Sequence, residues 1–392
     1  MAPVQEFQFL HGTKVVAGPG SAGSIGEELR GLGATRALIV TDRGVAGAGL
    51  LASVVEGLER AGVTHEVFDE VEPNPLAETT DRGAARARAG GCDAVIAVGG
   101  GSSIDCAKVI AVIGKFGGAA RDYEGFDTVP DLPLPLVAVP TTVGTGSEVT
   151  RGAVISDAGR RLKMVVVTPR IFPRIAVLDP LLLMQLPAPV TAATGMDSLT
   201  QAIEGYVSRN ASPITDALNL EALRMIAANL RLAVARNDLA ALAALQIATT
   251  MQGIGFHNAG LGLVHAMSNT VGGIFGAPHG VTNAIILPHV MEFNLAADPV
   301  KFARVAEAMG EPVAGLSVRE AAERSVAAVR VLSSDIRIPP TLADVGVTAE
   351  AIPEMTEKAM RNIDAPTNPR NYSEADIAEL YRRCLKPVGA PA

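Results

Sequence analysis

The chain carries only six histidines, and four of them, His257, His265, His279 and His289, fall close together in its second half. Imidazole binds divalent metals and carries protons near neutral pH. A short way upstream, Thr194–Gln201 (TGMDSLTQ) reads as the start of a helix. It sets Asp197 and Gln201 on one face at i, i+4. One carboxylate with the imidazoles of His265 and His279 makes a ligand set for a divalent cation, and the neutral amide of Gln201 would be a weak fourth ligand. Spacing alone serves a plainer reading too: histidines bonded to backbone carbonyls, and an Asp drawn to a helix's first turn by its dipole.

Two glycine-rich loops compete for a phosphate. Gly18-Pro19-Gly20-Ser21-Ala22-Gly23 fits G-x-G-x-x-G, follows the apolar run Val15–Ala17 and precedes a helical stretch. Gly99-Gly100-Gly101-Ser102-Ser103-Ile104-Asp105 follows the β-branched run Ala94–Val98 and also opens a helix. Glycines let backbone N–H groups close on an anion, and a helix start adds its positive end. Either loop could equally be a strand-to-helix turn without a ligand. Pro19 removes a donor from the first loop, so a dinucleotide's pyrophosphate is placed on the second. Ser102 is expected to cap that helix, with Asp105 three residues on in a capping-box position. Asp42 ends a strand, where a carboxylate accepts both ribose hydroxyls and repels a 2′-phosphate, which favours NAD over NADP. Pro140–Glu148 (PTTVGTGSE) offers the hydroxyls of Thr141, Thr142, Thr145 and Ser147 at a strand's end, the edge where open α/β sheets bind ligands.

These loops need a sheet to carry them. Ala37–Thr41, Thr64–Phe68, Ala94–Val98 and Leu136–Val139 read as short strands, separated by helical stretches such as Ser24–Leu32, Leu50–Ala61 and Thr79–Ala89. That alternation predicts βαβ units and a mostly parallel sheet. From about Leu186 the chain turns to Ala/Leu-rich stretches, among them Pro189–Val207, Ile214–Ala235, Leu239–Gly253, Pro299–Ala308 and Val318–Ser333, which read as helices. The expected organisation is an α/β dinucleotide-binding domain over residues 1–185 and an all-α domain over residues 186–392. A length of 392 residues agrees with two cores. Hydrophobic residues make up 48% but aromatics only 4%, so the cores are aliphatic. A net charge of −8 without basic blocks argues against nucleic acid or an anionic membrane as partner. No signal-like apolar segment opens the chain, and no apolar run is expected to be long enough to span a bilayer. Three scattered cysteines, Cys92, Cys106 and Cys384, make no disulfide framework and point to a reducing cytoplasm. Cys106 reads as a small core residue, and His289 as structural.

Gly99–Lys108 (GGGSSIDCAK), Pro140–Thr150 (PTTVGTGSEVT), Asp179–Ser208, Asn258–Met267 (NAGLGLVHAM) and Pro278–Asn294 (PHGVTNAIILPHVMEFN) together are distinctive. Through them the chain resembles the iron-containing (group III) alcohol dehydrogenase family along essentially its whole length. The resemblance implies a dehydroquinate synthase-like architecture: an N-terminal α/β dinucleotide-binding domain, an all-α C-terminal domain, and a metal, Fe or Zn, in the cleft between them. It implies hydride transfer between a small alcohol or aldehyde and NAD(P), by a homodimer or larger homo-oligomer. Gly99, Gly100, Gly101 and Ser102 would hold the pyrophosphate, Asp42 and Asn74 the adenosine side, Thr141, Thr142 and Thr145 the phosphates and nicotinamide, and Lys163 the ribose. Asp197, His265 and His279 match the family's ligands, but Gln201 stands where the family has His, and Asn269 stands where it usually has His near the reacting alcohol. His257 replaces a small residue and is a candidate ligand or base, while Phe256 and Ile363–Arg370 would wall the pocket. Two other readings fit these departures: a metal-independent reductase resembling maleylacetate reductases, and an NAD-binding protein with impaired catalysis.

Overall fold

Hydrophobic runs with little polar alternation build the inner strands of the sheet in the first half. Among the residues that the computed structural model describes, 6–160 and 162–386, the strands are β1 (Lys14–Ala17), β2 (Arg36–Val40), β3 (Thr64–Phe68), β4 (Ala94–Gly99), β5 (Gly125–Phe126), β6 (Leu136–Pro140), β7 (Gly152–Asp157), β8 (Leu162–Val167) and β9 (Ile175–Leu178). Six of them form one sheet in the order β1-β9-β6-β4-β2-β3, every pairing parallel. Helices α1 (Ile25–Gly31), α2 (Arg43–Gly47), α3 (Ala52–Ala61), α4 (Ala77–Ala89) and α5 (Gly101–Phe116) are interleaved with these strands. Leu38, Val40, Val95 and Ala97 point to one face, where they meet Ala84, Ala87 and Ile110. Their neighbours Ala37, Ile39, Ile96 and Val98 point to the other, against Ile25, Leu29, Val54 and Leu58. Period-two alternation into two cores is why these strands read as unbroken apolar runs.

A small second sheet, β5-β8-β7, joins the antiparallel pair β7/β8 to the two-residue β5. The sequence reading had not singled out β7 or β8. Together these elements make up one compact unit, residues 10–186.

The second unit contains residues 187–386 with residues 6–9. Its helices are α6 (Ala188–Val207), α7 (Pro213–Arg236), α8 (Leu239–Ala259), α9 (Leu263–Phe275), α10 (His279–Asn294), α11 (Pro299–Ala308), α12 (Val318–Asp335), α13 (Ile352–Met360) and α14 (Glu374–Cys384). The predicted class therefore holds: a parallel sheet with flanking helices, and a helical second domain. One expectation needs correcting. Helix α8 is long and apolar enough, by length and composition, to cross a membrane. More than half of its apolar stretch is buried inside the unit, together with Gln246, Thr249, Thr250 and Gln252. Polar side chains buried along a helix are the pattern of a core helix packed on protein.

Candidate active site

Strand β4 delivers the second glycine loop to the sheet's edge. Gly99 has φ +155°, and a side chain there would meet Ser103 Oγ at 2.5 Å. At Gly101 a Cβ would lie 2.7 Å from Thr145 Cγ2, so α5 starts where the threonine loop presses against it. The amide of Thr141 donates to Gly99 O at 3.0 Å, which fixes the two loops side by side. Asp42 stands beside them: its Oδ2 is 3.7 Å from where a Gly99 Cβ would be, while its Oδ1 accepts from Val45 N. Thr142 and Thr145 are half-buried in the same loop, and Asn74 is exposed in left-handed backbone, φ +58°, after β3.

The expected cap on α5 is not made. The N-cap is Gly100, without a side-chain bond, and Ser102 already lies inside the helix. Asp105 is engaged elsewhere: its Oδ1 accepts from Ser147 Oγ at 2.5 Å and its Oδ2 from Val154 N at 2.9 Å. Sequence reasoning missed Lys108, whose fully buried ammonium donates to Ser147 Oγ (2.8 Å), Thr150 Oγ1 (3.1 Å) and Gly152 O (2.6 Å). Burial pushes its pKa down against the pull of Asp105 and Glu148. A lone lysine in the apolar run CAKVIAVI was the available signal. Lys108 and Asp105 thus tie the threonine loop to α5 through one serine hydroxyl. Lys163, on β8, is half-buried, and desolvation lowers its pKa despite nearby Asp105.

The first glycine loop has its own anion. The amides of Gly20 and Ala22 donate to the Asp179 carboxylate at 3.0 and 3.1 Å, and Asp179 is buried. Two of the loop's donors are therefore used within the protein.

In the helical unit, α6, α9 and α10 bring Asp197, His265 and His279 together. The Asp197 Oδ1 lies 3.6 Å from His265 Nε2 and 3.5 Å from His279 Nε2, and the three atoms lie within 4.8 Å of one another. Ligands about 2.1 Å from a tetrahedral ion sit about 3.4 Å apart, so this donor set fits a divalent cation. Two histidines and one carboxylate with positions left open is also a ligand pattern of non-haem Fe(II). Both rings are oriented from behind. His265 Nδ1 is 2.6 Å from Glu204 Oε2, and Glu204 Oε1 also accepts from Val264 N at the start of α9. His279 Nδ1 is 3.2 Å from Ser268 Oγ. With Nδ1 of each ring engaged, each Nε2 is turned toward Asp197, the arrangement by which outer carboxylates and hydroxyls direct metal-binding imidazoles. Burial lowers the His265 pKa, but Asp197 and Glu204 outweigh it and raise it to about 10. Asp197 is held below the usual carboxylate range: His279, His265 and Asn283 overcome its burial.

Asn283, one turn after His279 on α10, was not anticipated. Its Nδ2 lies 2.7 Å from Asp197 Oδ1, 3.2 Å from His265 Nε2 and 3.1 Å from His279 Nε2. Gln201 donates Nε2 to Asp197 Oδ2 at 3.3 Å, and its buried Oε1 has no partner. Asn269 donates to Asp364 Oδ2 at 3.3 Å. Burial pushes the Asp364 carboxyl up to about 6, with His265 pulling it down and Glu204 adding to the rise. Phe256 and His257 are half-buried on the last turn of α8. His257 is not part of the carboxylate–imidazole group, the one such cluster among the described residues. The segment 363–370 is bonded to the start of α9: Thr367 Oγ1 donates to Leu261 O at 2.7 Å, and Leu263 N donates to Asn368 Oδ1 at 3.4 Å. His289 is buried on α10, with its pKa pushed down to about 4 by burial and by Arg383 and Arg330.

Two family models match: iron-containing alcohol dehydrogenase over residues 12–180, and the C-terminal domain of the Fe-containing alcohol dehydrogenase family over residues 191–385. The chain is 44% identical over 371 residues to a 1,3-propanediol dehydrogenase of Klebsiella pneumoniae, covering 94% of this chain and 96% of that protein. It is 40% identical over 371 residues to an NAD-dependent methanol dehydrogenase of Bacillus methanolicus, covering 94% and 97%. Among solved structures, that of a 1,3-propanediol oxidoreductase superposes with a TM-score of 0.95 at 43% identity, covering 97% of this chain and all of that one.

Proposed function

Because this chain belongs to the iron-containing alcohol dehydrogenase family, we propose that it moves a hydride between a nicotinamide cofactor and a small alcohol or aldehyde, assisted by a divalent cation held by Asp197, His265 and His279. That it is an NAD(P)-dependent oxidoreductase acting on CH–OH groups follows from the family. The observation that carries the metal-assisted reading is the convergence of Asp197 Oδ1, His265 Nε2 and His279 Nε2, with both imidazoles fixed from behind. When bound, the cation polarises the substrate oxygen and the nicotinamide exchanges the hydride.

The chain's own residues do the rest. Gly99, Gly100, Gly101 and Ser102 are assigned the pyrophosphate, with Asp105 holding Ser147 and through it the threonine loop. Thr141, Thr142 and Thr145 are assigned the phosphates and nicotinamide, Lys163 the ribose, and Asp42 and Asn74 the adenosine side. The Asp42 carboxylate beside the loop favours NAD, since a 2′-phosphate would be repelled. Glu204 and Ser268 hold the two ligand rings. His257 is assigned the hydroxyl proton, and Phe256 the exclusion of water from the substrate. Relatives named for 1,3-propanediol and methanol support a small primary alcohol or its aldehyde as substrate. Assembly as a homodimer or larger homo-oligomer in the cytoplasm belongs to the same proposal, and the free thiols of Cys92, Cys106 and Cys384 agree with a reducing compartment.

The test is metal analysis of the purified protein alongside an NADH-linked assay with short aldehydes. Stoichiometric metal, activity lost to a chelator and activity abolished by His265→Asn are expected. Turnover without metal would favour the metal-independent reductase, and NADH binding without turnover would favour the cofactor-binding protein. Near-normal turnover in His265→Asn would overturn the ligand assignment.

A further inference from the structure

We propose that Gln201 is a positioning residue for Asp197 and stands outside the ligand set, so that the protein offers three ligand atoms and holds the carboxylate of one of them between two amides. The inference rests on the metal reading above and concerns which atoms of this chain serve it. Asp197 uses its two oxygens differently. Oδ1 faces both imidazoles and accepts from Asn283 Nδ2 at 2.7 Å. Oδ2 accepts from Gln201 Nε2 one helical turn further along α6. Both donors are neutral, so they fix the carboxylate's direction without adding charge to the site. Asn283 is fully buried and Gln201 is 5% exposed, which leaves water little access to replace either bond.

The direction of the Gln201 amide is dictated by its neighbour. Turning it over would set the carbonyl oxygen Oε1 against the carboxylate oxygen Oδ2, two acceptors with no proton between them. The N–H side therefore faces Asp197, and Oε1 is left buried with no partner. To serve as a ligand the amide would have to supply Oε1, an atom that no hydrogen bond holds in place, whereas the N–H that is held points to Asp197. Outer donors of this kind set metal affinity by orienting the ligand they touch, and their loss costs roughly 10–100-fold.

The two roles give opposite results for one substitution. In Gln201→Glu an ionised oxygen donor replaces a neutral one. If residue 201 is a ligand, affinity is kept or rises. If it positions Asp197, two carboxylates now face each other, and affinity falls by roughly 10–100-fold. The measurement is Co²⁺ affinity of the full-length protein by competition with a chromophoric chelator, with NADH binding as the control for an intact fold. Affinity unchanged or tighter in Gln201→Glu overturns the proposal. A second variant guards against a glutamate that prevents folding. In Gln201→Ala saturated with Co²⁺, the visible d–d spectrum should keep the wild-type envelope, because the ligand atoms are the same; a changed envelope overturns the proposal. Wild-type protein that binds no Co²⁺ overturns the metal reading itself, and this inference with it.

Discussion

Replacing Asp364 by Asn should stabilise the helical unit at alkaline pH and leave it unchanged in acid. The carboxyl is approached by the Asn269 amide at 3.3 Å, and its own backbone N–H donates to Asn362 Oδ1. Burial raises it from 3.8 to about 6; of the charges that face it, His265 favours ionisation and Glu204 opposes it. Raising a carboxyl by that much is worth about 3 kcal/mol against its ionised form, an upper bound because water still reaches a half-buried side chain. The sign follows from proton counting. Between about pH 4 and pH 6 the folded protein holds this proton and the unfolded chain releases it, so stability falls as pH rises through that window, and the whole cost is present above it. Asparagine is a neutral stand-in for the protonated acid. Asp364→Asn should therefore gain up to about 3 kcal/mol at pH 8 and close to nothing at pH 4. The assay is urea unfolding followed by far-ultraviolet circular dichroism in the presence of chelator, so that no bound cation adds its own charge. An equal gain at both pH values would refute the reasoning, because a packing effect has no reason to titrate. A loss of stability at pH 8 would refute it more strongly.

Two further outcomes follow from single contacts. Gly101→Ala places a methyl 2.7 Å from Thr145 Cγ2; overpacking of this kind costs about 1–3 kcal/mol, so NADH affinity by fluorescence titration should fall about tenfold or more, with metal content unaltered. His289 is neutral in the folded state, its pKa pushed down to about 4 from 6.5. The unfolded chain then takes up a proton first as pH falls, so stability is full above about pH 6.5 and is lost toward pH 4, by up to about 3 kcal/mol. His289→Leu should flatten that part of the acid limb in thermal melts, and an unchanged slope would show that another group sets it.

The sheet was largely legible because its signals are local. Each of β2, β4 and β6 is a short run rich in aliphatic residues leading into a loop with distinctive chemistry; Gly99 ends β4, and Thr141 follows β6 directly in the chain. The three-residue metal cluster was not legible in that way. Asp197, His265 and His279 lie on three helices; their residue types offered a ligand set, but spacing served a structural reading equally, and the whole-chain resemblance is what singled them out. Their supports were further out of reach: nothing in spacing announces that Glu204 serves His265, or that Asn283 touches all three ligand atoms. Helix α10 mixes polar and apolar residues around its axis and carries Pro288 in its interior, so neither amphipathic period nor helix rules mark it. Lys108 went unread for a related reason, since a buried lysine is assignable only when its acceptors, here Ser147, Thr150 and Gly152 some forty residues further along the chain, are in place.

The two glycine loops show why a phosphate motif must be asked which anion it serves. Both have a strand before them and a helical turn after them, and the first fits the six-residue fingerprint better. Yet its Gly20 and Ala22 amides close on Asp179, which also accepts from Leu181 N and so starts the 3₁₀ turn Pro180–Leu183. A buried carboxylate needs N–H donors to satisfy its oxygens, and a glycine turn supplies them to a side chain as readily as to a phosphate. Pro19 then costs nothing, because the donors that matter here, Gly20 N and Ala22 N, both follow it in the chain. At the second loop, Asp42 Oδ1 accepts from Val45 N, and the two oxygens of Asp105 accept from Ser147 Oγ and Val154 N. The pattern of glycines is shared by the two loops; what separates them is whether the fold brings its own anion to the amides.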